Sequence, residues 1–350
     1  MKKTILLLLS SAFIFFLSCH NTESPKTAVV PSLDKAAVLK QANKVFAVLP
    51  TESINSENPT SAEKIALGKS LYFDNRLSEN QTQSCNTCHN VATYGVDNLA
   101  TSKGDNGGFG NRNSPSTFNA ALHISQFWDG RNKDVEQQAG GPILNPKEMA
   151  IPNEEFVLNR LKKVPEYREM FAKAYPKDKK PFTYLNLTRA IGAFERTLIT
   201  PSKFDEYLAG NQDALNEQET QGLQSFMDVG CTTCHSGSVL GGNILMKFGV
   251  NNNYWELTKS TAIDSGKYSQ TKADADMFVF KVQSLRNIEK TFPYFHDGSI
   301  AKLDDVVKIM GKLQLNKDLS AEETANILAF LKTLTGKIPE NALMTEVVKK

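Results

Sequence analysis

The stretch SCNTCHNVATYGVDN, residues 84–98, sets two cysteines three positions apart and follows the second with a histidine; GCTTCHSG at 230–237 repeats the arrangement. The two strings, starting from Cys85 and Cys231, lie 146 residues apart. Each follows an amphipathic segment. SAEKIALGKSLYF (61–73) gathers Ile65, Gly68, Leu71 and Tyr72 on one helical face, and NEQETQGLQSFM (216–227) gathers Gly222, Leu223, Phe226 and Met227. Asn216 with Glu219 has the pattern of a helix start with a returning carboxylate, whereas Ser61 with Lys64 does not. A helix delivering the same turn twice in a chain of 350 residues predicts two related modules rather than one large domain.

Further helices complete each module. SAEETANILAFLKTLTG (320–336) opens on a Ser320/Glu323 capping box and carries Ile327, Leu328, Phe330 and Leu331, a terminal amphipathic helix. PFTYLNLTRAIGAFERTLIT (181–200) is its counterpart in the first half. Strand signals are sparse, so the expected fold is mainly α. The segment TPSKFDEYLAG places the boundary near residue 199, giving an N-terminal domain over 51–198 and a C-terminal domain over 199–350. With 40% hydrophobic and 22% charged residues the composition is that of a globular protein. A formal charge of +2, which includes Lys2 and Lys3, leaves no basic surplus for nucleic acid.

Residues 1–18 have the layout of an export signal: Lys2 and Lys3 precede an apolar run from Ile5 to Leu17 that is too short for a stable membrane span. Leu17-Ser18-Cys19 resembles a bacterial lipoprotein processing site, which would place a lipid on Cys19; an ordinary cleaved signal peptide is the alternative. Residues 19–50 are then a polar tether and extension holding the folded body near a membrane in the periplasm.

Five cysteines are an awkward number for disulfides in an exported chain. Subtracting Cys19 leaves Cys85, Cys88, Cys231 and Cys234, all in the two repeated strings. Two thiols three apart on a turn reach the two vinyl groups of one porphyrin edge, and the adjacent histidine, His89 or His235, is carried under the iron. A four-cysteine zinc site would leave both histidines unexplained. A redox-active disulfide calls for a thioredoxin-like setting that is absent from the pattern. The expectation is two cytochrome-c-like helical domains, each with one covalently bound haem c.

The flanks carry a resemblance. CNTCHNVATYGVDN, NRNSPSTFNAALHISQFWDGR, GPILNPKEMAIP, SLRNIEKTFPYFHDGSI and IMGKLQLN resemble, in order and spacing, the bacterial dihaem cytochrome c peroxidases, over nearly the whole mature chain. The resemblance implies reduction of hydrogen peroxide to water with electrons from a small cytochrome c or cupredoxin. These electrons arrive at the C-terminal haem and pass to a peroxidatic N-terminal haem. It makes His89 and His235 the proximal ligands and Met310, fourteen residues beyond His296, the sixth ligand of the C-terminal iron, with Met246 and Met277 as rivals. On spacing alone Met310 would only pack, in a stripe with Val306, Val307 and Leu313. The resemblance further assigns Glu148 as distal acid, Gln138 as a second polar group of that pocket, and Trp128 as the aromatic between the haems. It assigns Asn113, Thr291 and Pro293 as calcium ligands, and His296 as a neighbour of the C-terminal haem's propionates. Relatives of this kind tend to form homodimers. His123, on an apolar stretch, is expected as a hydrogen-bonded core residue.

One position departs from the pattern. Many members carry a histidine in the loop after the first haem motif that caps the peroxidatic iron at rest, and here TSKGDNGGFGNRNSP has Asp105 at that place, with no histidine between His89 and His123. An N-terminal haem open to peroxide without prior reduction is therefore expected. The competing functions are a dihaem electron-transfer cytochrome, against which Glu148 speaks, and a dihaem oxidase acting on a partner protein, against which Met310 speaks.

Overall fold

Helices dominate residues 33–343, the part of the chain that the computed structural model describes; the leader 1–18 and Cys19 lie outside it. The first half contains α1 (Lys35–Ala42), α2 (Ala62–Tyr72), α3 (Cys85–Cys88), α4 (Val135–Leu144), α5 (Glu154–Leu161), α6 (Pro165–Ala174) and α7 (Tyr184–Glu195). The second contains α8 (Lys203–Leu208), α9 (Glu217–Val229), α10 (Tyr254–Thr258), α11 (Tyr268–Thr271), α12 (Leu303–Leu315) and α13 (Ala321–Lys332). A short antiparallel pair, β1 (Leu245–Lys247) with β2 (Val279–Lys281), sets Met246 opposite Phe280.

The helix starts follow from local chemistry. Asn216 and Ser320 each accept the N–H of the residue three further on, while Glu219 and Glu323 return a carboxylate to the cap nitrogen. Ser61 caps α2 as well, despite lacking the returning carboxylate: its Oγ accepts the Lys64 backbone N–H at 3.2 Å. The cap needs only a main-chain donor, so the lysine side chain at that position is immaterial.

Each half closes on one helix crossing. α2 lies against α7 and α9 against α13, with a glycine at each contact. A Cβ on Gly68 would sit 1.8 Å from the Ala190 carbonyl oxygen, and one on Gly222 1.8 Å from that of Asn326. The backbones touch where no side chain fits. Leu67, Leu71, Leu187, Ile191 and Phe194 are buried around the first crossing, and Leu223, Phe226, Ile327, Phe330 and Leu331 around the second. Each contributes about 1.5–3 kcal/mol by leaving water.

The first core reaches Leu198 and the second takes up Phe204 of α8. Two segments depart from the expected limits. α1 and the turn after it, expected within an extension over 19–50, pack Val38, Ala42 and Phe46 into the second core, with Phe46 edge-on to Phe204 at 5.5 Å. Val38 and Ala42, four apart, share one helical face that must be covered, and Phe46 extends that apolar surface past the helix end. Ala342, near the other end, joins the first core. Residues 33–343 fall in one compact unit. Among the described residues no helix is long and apolar enough to cross a membrane.

Candidate functional site

The two C-x-x-C-H turns are built alike. At the first, a Ser84/Thr87 capping box winds α3, and the His89 N–H donates to the Cys85 carbonyl at 2.9 Å. At the second, α9 stops on Gly230 at φ 103°, and the His235 N–H donates to the Cys231 carbonyl at 3.0 Å. The ring Nδ1 of His89 donates to the Pro115 carbonyl at 2.9 Å, and that of His235 to the Leu240 carbonyl at 3.0 Å. With the Nδ1 proton committed, Nε2 of each ring keeps its lone pair for a metal. Burial lowers both histidine pKa values, which keeps the rings neutral. All four cysteines are unpaired, and burial pushes Cys88 and Cys231 up to about 11. Among the described residues no group of three or more His, Cys, Asp or Glu converges as a metal site, so the two cysteine pairs do not share a zinc ion.

Beside the second turn lies a largely apolar cavity. Cys231, Cys234 and His235 form one side of it, and α12 contributes Val306, Val307 and Met310. Met246 also reaches this cavity, whereas Met277 is not part of its lining. His296, 2% exposed, lies over Phe280 with ring centroids 4.6 Å apart, and its Nε2 has no hydrogen-bond partner. A porphyrin, apolar over its faces and carboxylated at one edge, fits an apolar cavity with an orphaned imidazole nitrogen in its wall. Trp128 lines the same cavity, its Nε1 donating to the Asn113 carbonyl at 2.8 Å and its ring edge-on to His296 at 6.2 Å.

Asn113, Thr291 and Pro293 all line that cavity. The Asn113 side-chain nitrogen donates to the Leu99 carbonyl at 2.8 Å, which leaves the amide oxygen for a hard cation.

Glu148 is delivered by a turn that Asn145 organises after α4. The Lys147 N–H donates to the Asn145 side chain at 3.0 Å, and the Glu148 and Ala150 N–H groups to its carbonyl at 2.9 Å. Burial raises the Glu148 pKa, with Arg131 and Asn145 pulling it partly back. Its charge adds a little to the upward push on the Cys88 thiol. The Arg131 guanidinium rests 3.4 Å over the Phe127 ring and pairs with Asp129 at 2.9 Å. Gln138 is half-buried on α4, and no hydrogen bond among the described residues joins it to Glu148.

Asp105 is tied down locally. Partial burial works against its carboxylate, but the Thr82 hydroxyl at 2.5 Å and the Asn80 N–H at 2.6 Å outweigh it and hold the pKa below the ordinary value. Its own N–H donates to the Glu148 carbonyl at 2.7 Å, joining this loop to the acid's turn.

His123 differs from expectation: it lines the cavity, its Nδ1 lies 3.2 Å from Lys281 Nζ, and its Nε2 has no partner. The loop carrying it docks on the Gly241–Gly242 turn, where the Ile124 N–H donates to the Gly242 carbonyl at 2.8 Å. Lys281 and Glu195 are additions to the expected set. Lys281 is 3% exposed in the cavity wall, and Glu195 is a buried carboxyl whose charge is felt at Cys85 and whose pKa is pushed up to about 8 by burial. The signal for Lys281 was its place in the apolar run FVFKV, residues 278–282; Glu195 sits in a helix whose periodicity gave none.

Known proteins resemble this chain over most of its length. A family model described as di-haem cytochrome c peroxidase matches residues 62–213. Cytochrome c551 peroxidase of Nitrosomonas europaea is 44% identical over 315 residues, covering 90% of this chain and 92% of that one. The Pseudomonas aeruginosa protein of the same name is 44% identical over 312 residues, covering 88% and 89%. Among solved structures, a MauG-like protein associated with microbial copper homeostasis superposes with a TM-score of 0.74 at 30% identity, over 83% of this chain and 94% of that one.

Proposed function

Since this chain belongs to the di-haem cytochrome c peroxidase family, an oxidoreductase family with two haem c groups, we propose that it reduces hydrogen peroxide to water in the periplasm. Electrons come from a small cytochrome c or cupredoxin through the C-terminal haem to the N-terminal one. The observation that carries this is Glu148: a half-buried carboxyl with a raised pKa, set by the Asn145 turn beside the first C-x-x-C-H.

Bound haem supplies the iron that takes up peroxide and the relay that brings it electrons. Cys85 and Cys88 would hold the N-terminal group and Cys231 and Cys234 the C-terminal one, with His89 and His235 ligating through the nitrogens left free by their backbone bonds. Glu148 takes the proton from the near peroxide oxygen and hands it to the far one, so that water departs. Burial brings its affinity for that proton closer to neutrality, and Arg131 keeps it from being held too tightly. Gln138 is the second polar group of the pocket. Trp128, fixed at both its indole nitrogen and its ring edge, is the aromatic between the two sites. Met310 supplies the thioether of the C-terminal iron, favouring its reduced form. Asn113 with the carbonyls of Thr291 and Pro293 holds calcium, and His296 meets the C-terminal haem's propionates. Asp105, pinned to Asn80 and Thr82, leaves the N-terminal site without a resting cap. A lipid on Cys19 and a homodimer complete the proposal.

Stopped-flow mixing of the half-reduced protein with peroxide tests the function: a peroxidase shows a fast change at the haem bands. A protein that only carries electrons shows none.

A further inference from the structure

Lys281 is a buried amine with no anion in hydrogen-bond contact among the described residues, Asp129 acting on it only from a distance. Its Nζ donates to the Ser125 carbonyl at 2.8 Å and approaches His123 Nδ1 at 3.2 Å, both of them neutral groups. The charges around it cancel among themselves: Arg112 pairs with Asp129 at 2.7 Å and with Asp264 at 2.6 Å, and Arg131 pairs with Asp129 at 2.9 Å. Two arginines and two aspartates leave nothing over for a lysine that is 3% exposed. An uncompensated buried charge is costly enough that an anion is expected to meet it.

The histidine beside it points to the same missing partner. An ammonium donating to Nδ1 puts the imidazole proton on Nε2, and that nitrogen is buried with no acceptor. Lys281 and His123 both line the cavity that contains Cys231, Cys234 and His235. Gly242 admits the imidazole, since a Cβ there would lie 2.4 Å from the ring. Within this largely apolar cavity, whose wall has no carboxylate among the described residues, the group that brings carboxylates is haem itself.

We propose that Lys281, with His123 behind it, anchors a propionate of the C-terminal haem and raises that haem's potential, because a nearby cation favours the iron that has gained an electron. This rests on the two-haem reading above. Burial, only partly opposed by Asp129, pushes the lysine down to about 7, and the propionate would hold it charged.

Potentiometric titration of the intact dihaem protein tests this with Lys281→Met and Lys281→Arg. The expected result is a downward shift of the C-terminal midpoint potential in the methionine variant, near-native potential in the arginine variant, and two haems per chain in both. An unshifted potential in Lys281→Met with two haems retained overturns the assignment and leaves the peroxidase reading standing. A wild-type protein with fewer than two haems overturns both. Should the variants fail to mature, resonance Raman of the wild type decides: propionate bending typical of a strong charge-assisted hydrogen bond supports the anchor, and bending typical of a solvated carboxylate refutes it.

Discussion

The imidazole Nδ1 of His89 donates to the carbonyl of Pro115 at 2.9 Å, and Pro115 also lines the cavity beside His235. One short segment therefore orients the proximal histidine of the first site and walls the second. Its neighbour Asn113 receives the Trp128 indole N–H at its carbonyl and donates its own N–H to the His296 carbonyl at 2.7 Å. Asn113→Ala keeps both of these backbone bonds but removes the side-chain bond to the Leu99 carbonyl and the amide oxygen proposed for calcium, and is expected to disturb the resonance spectra of both haems rather than one. Calcium chelation of the wild type should lower activity in the same way; an unaltered N-terminal haem signal in the variant would deny the coupling.

Glu148→Gln keeps the shape of the distal group and removes its base. Both haems are expected to remain while peroxide turnover falls on the order of 10²–10⁴-fold. The group must be ionised to accept the proton, and burial raises its pKa. Wild-type activity should therefore fall toward low pH with its acid limb above the ordinary carboxylate value, measured as kcat/KM for peroxide. Full activity in the variant would move the acid–base role elsewhere.

Asp105 is bonded to Asn80 and Thr82, and its loop contains no histidine. The fully oxidised protein is expected to show a high-spin N-terminal haem by electron paramagnetic resonance and to react with peroxide without prior reduction. A purely low-spin bis-histidine signal from that haem is the contrary outcome.

Met310 and Met246 both reach the C-terminal cavity. Met310→Leu should lower the potential of the C-terminal haem and slow turnover from the donor, whereas Met246→Leu should leave the potential near native. A reversed pattern in potentiometry would exchange their roles.

A methyl group on Gly222 would meet the Asn326 carbonyl oxygen at 1.8 Å. Gly222→Ala should destabilise the second core by about 1–3 kcal/mol or more, because neither backbone can yield without parting α9 from α13. The urea midpoint of the matured protein measures this, and an unchanged midpoint would show that the crossing relaxes freely.

Much of the architecture was already legible in the chain. The repeated C-x-x-C-H, the apolar faces holding Gly68 and Gly222, and the caps at Asn216 and Ser320 are short-range patterns, fixed by helical periodicity and by bonds spanning three or four residues. The residue motifs likewise marked Glu148, Trp128, Met310 and His296 for inspection. Only the tertiary structure excluded Met277 from the cavity, put α1 into the second core and turned Ala342 back onto the first. It also brought Lys281 to His123 across 158 residues. Such pairings arise when distant elements compete to bury the same apolar surface, and no local pattern records which of them succeeds.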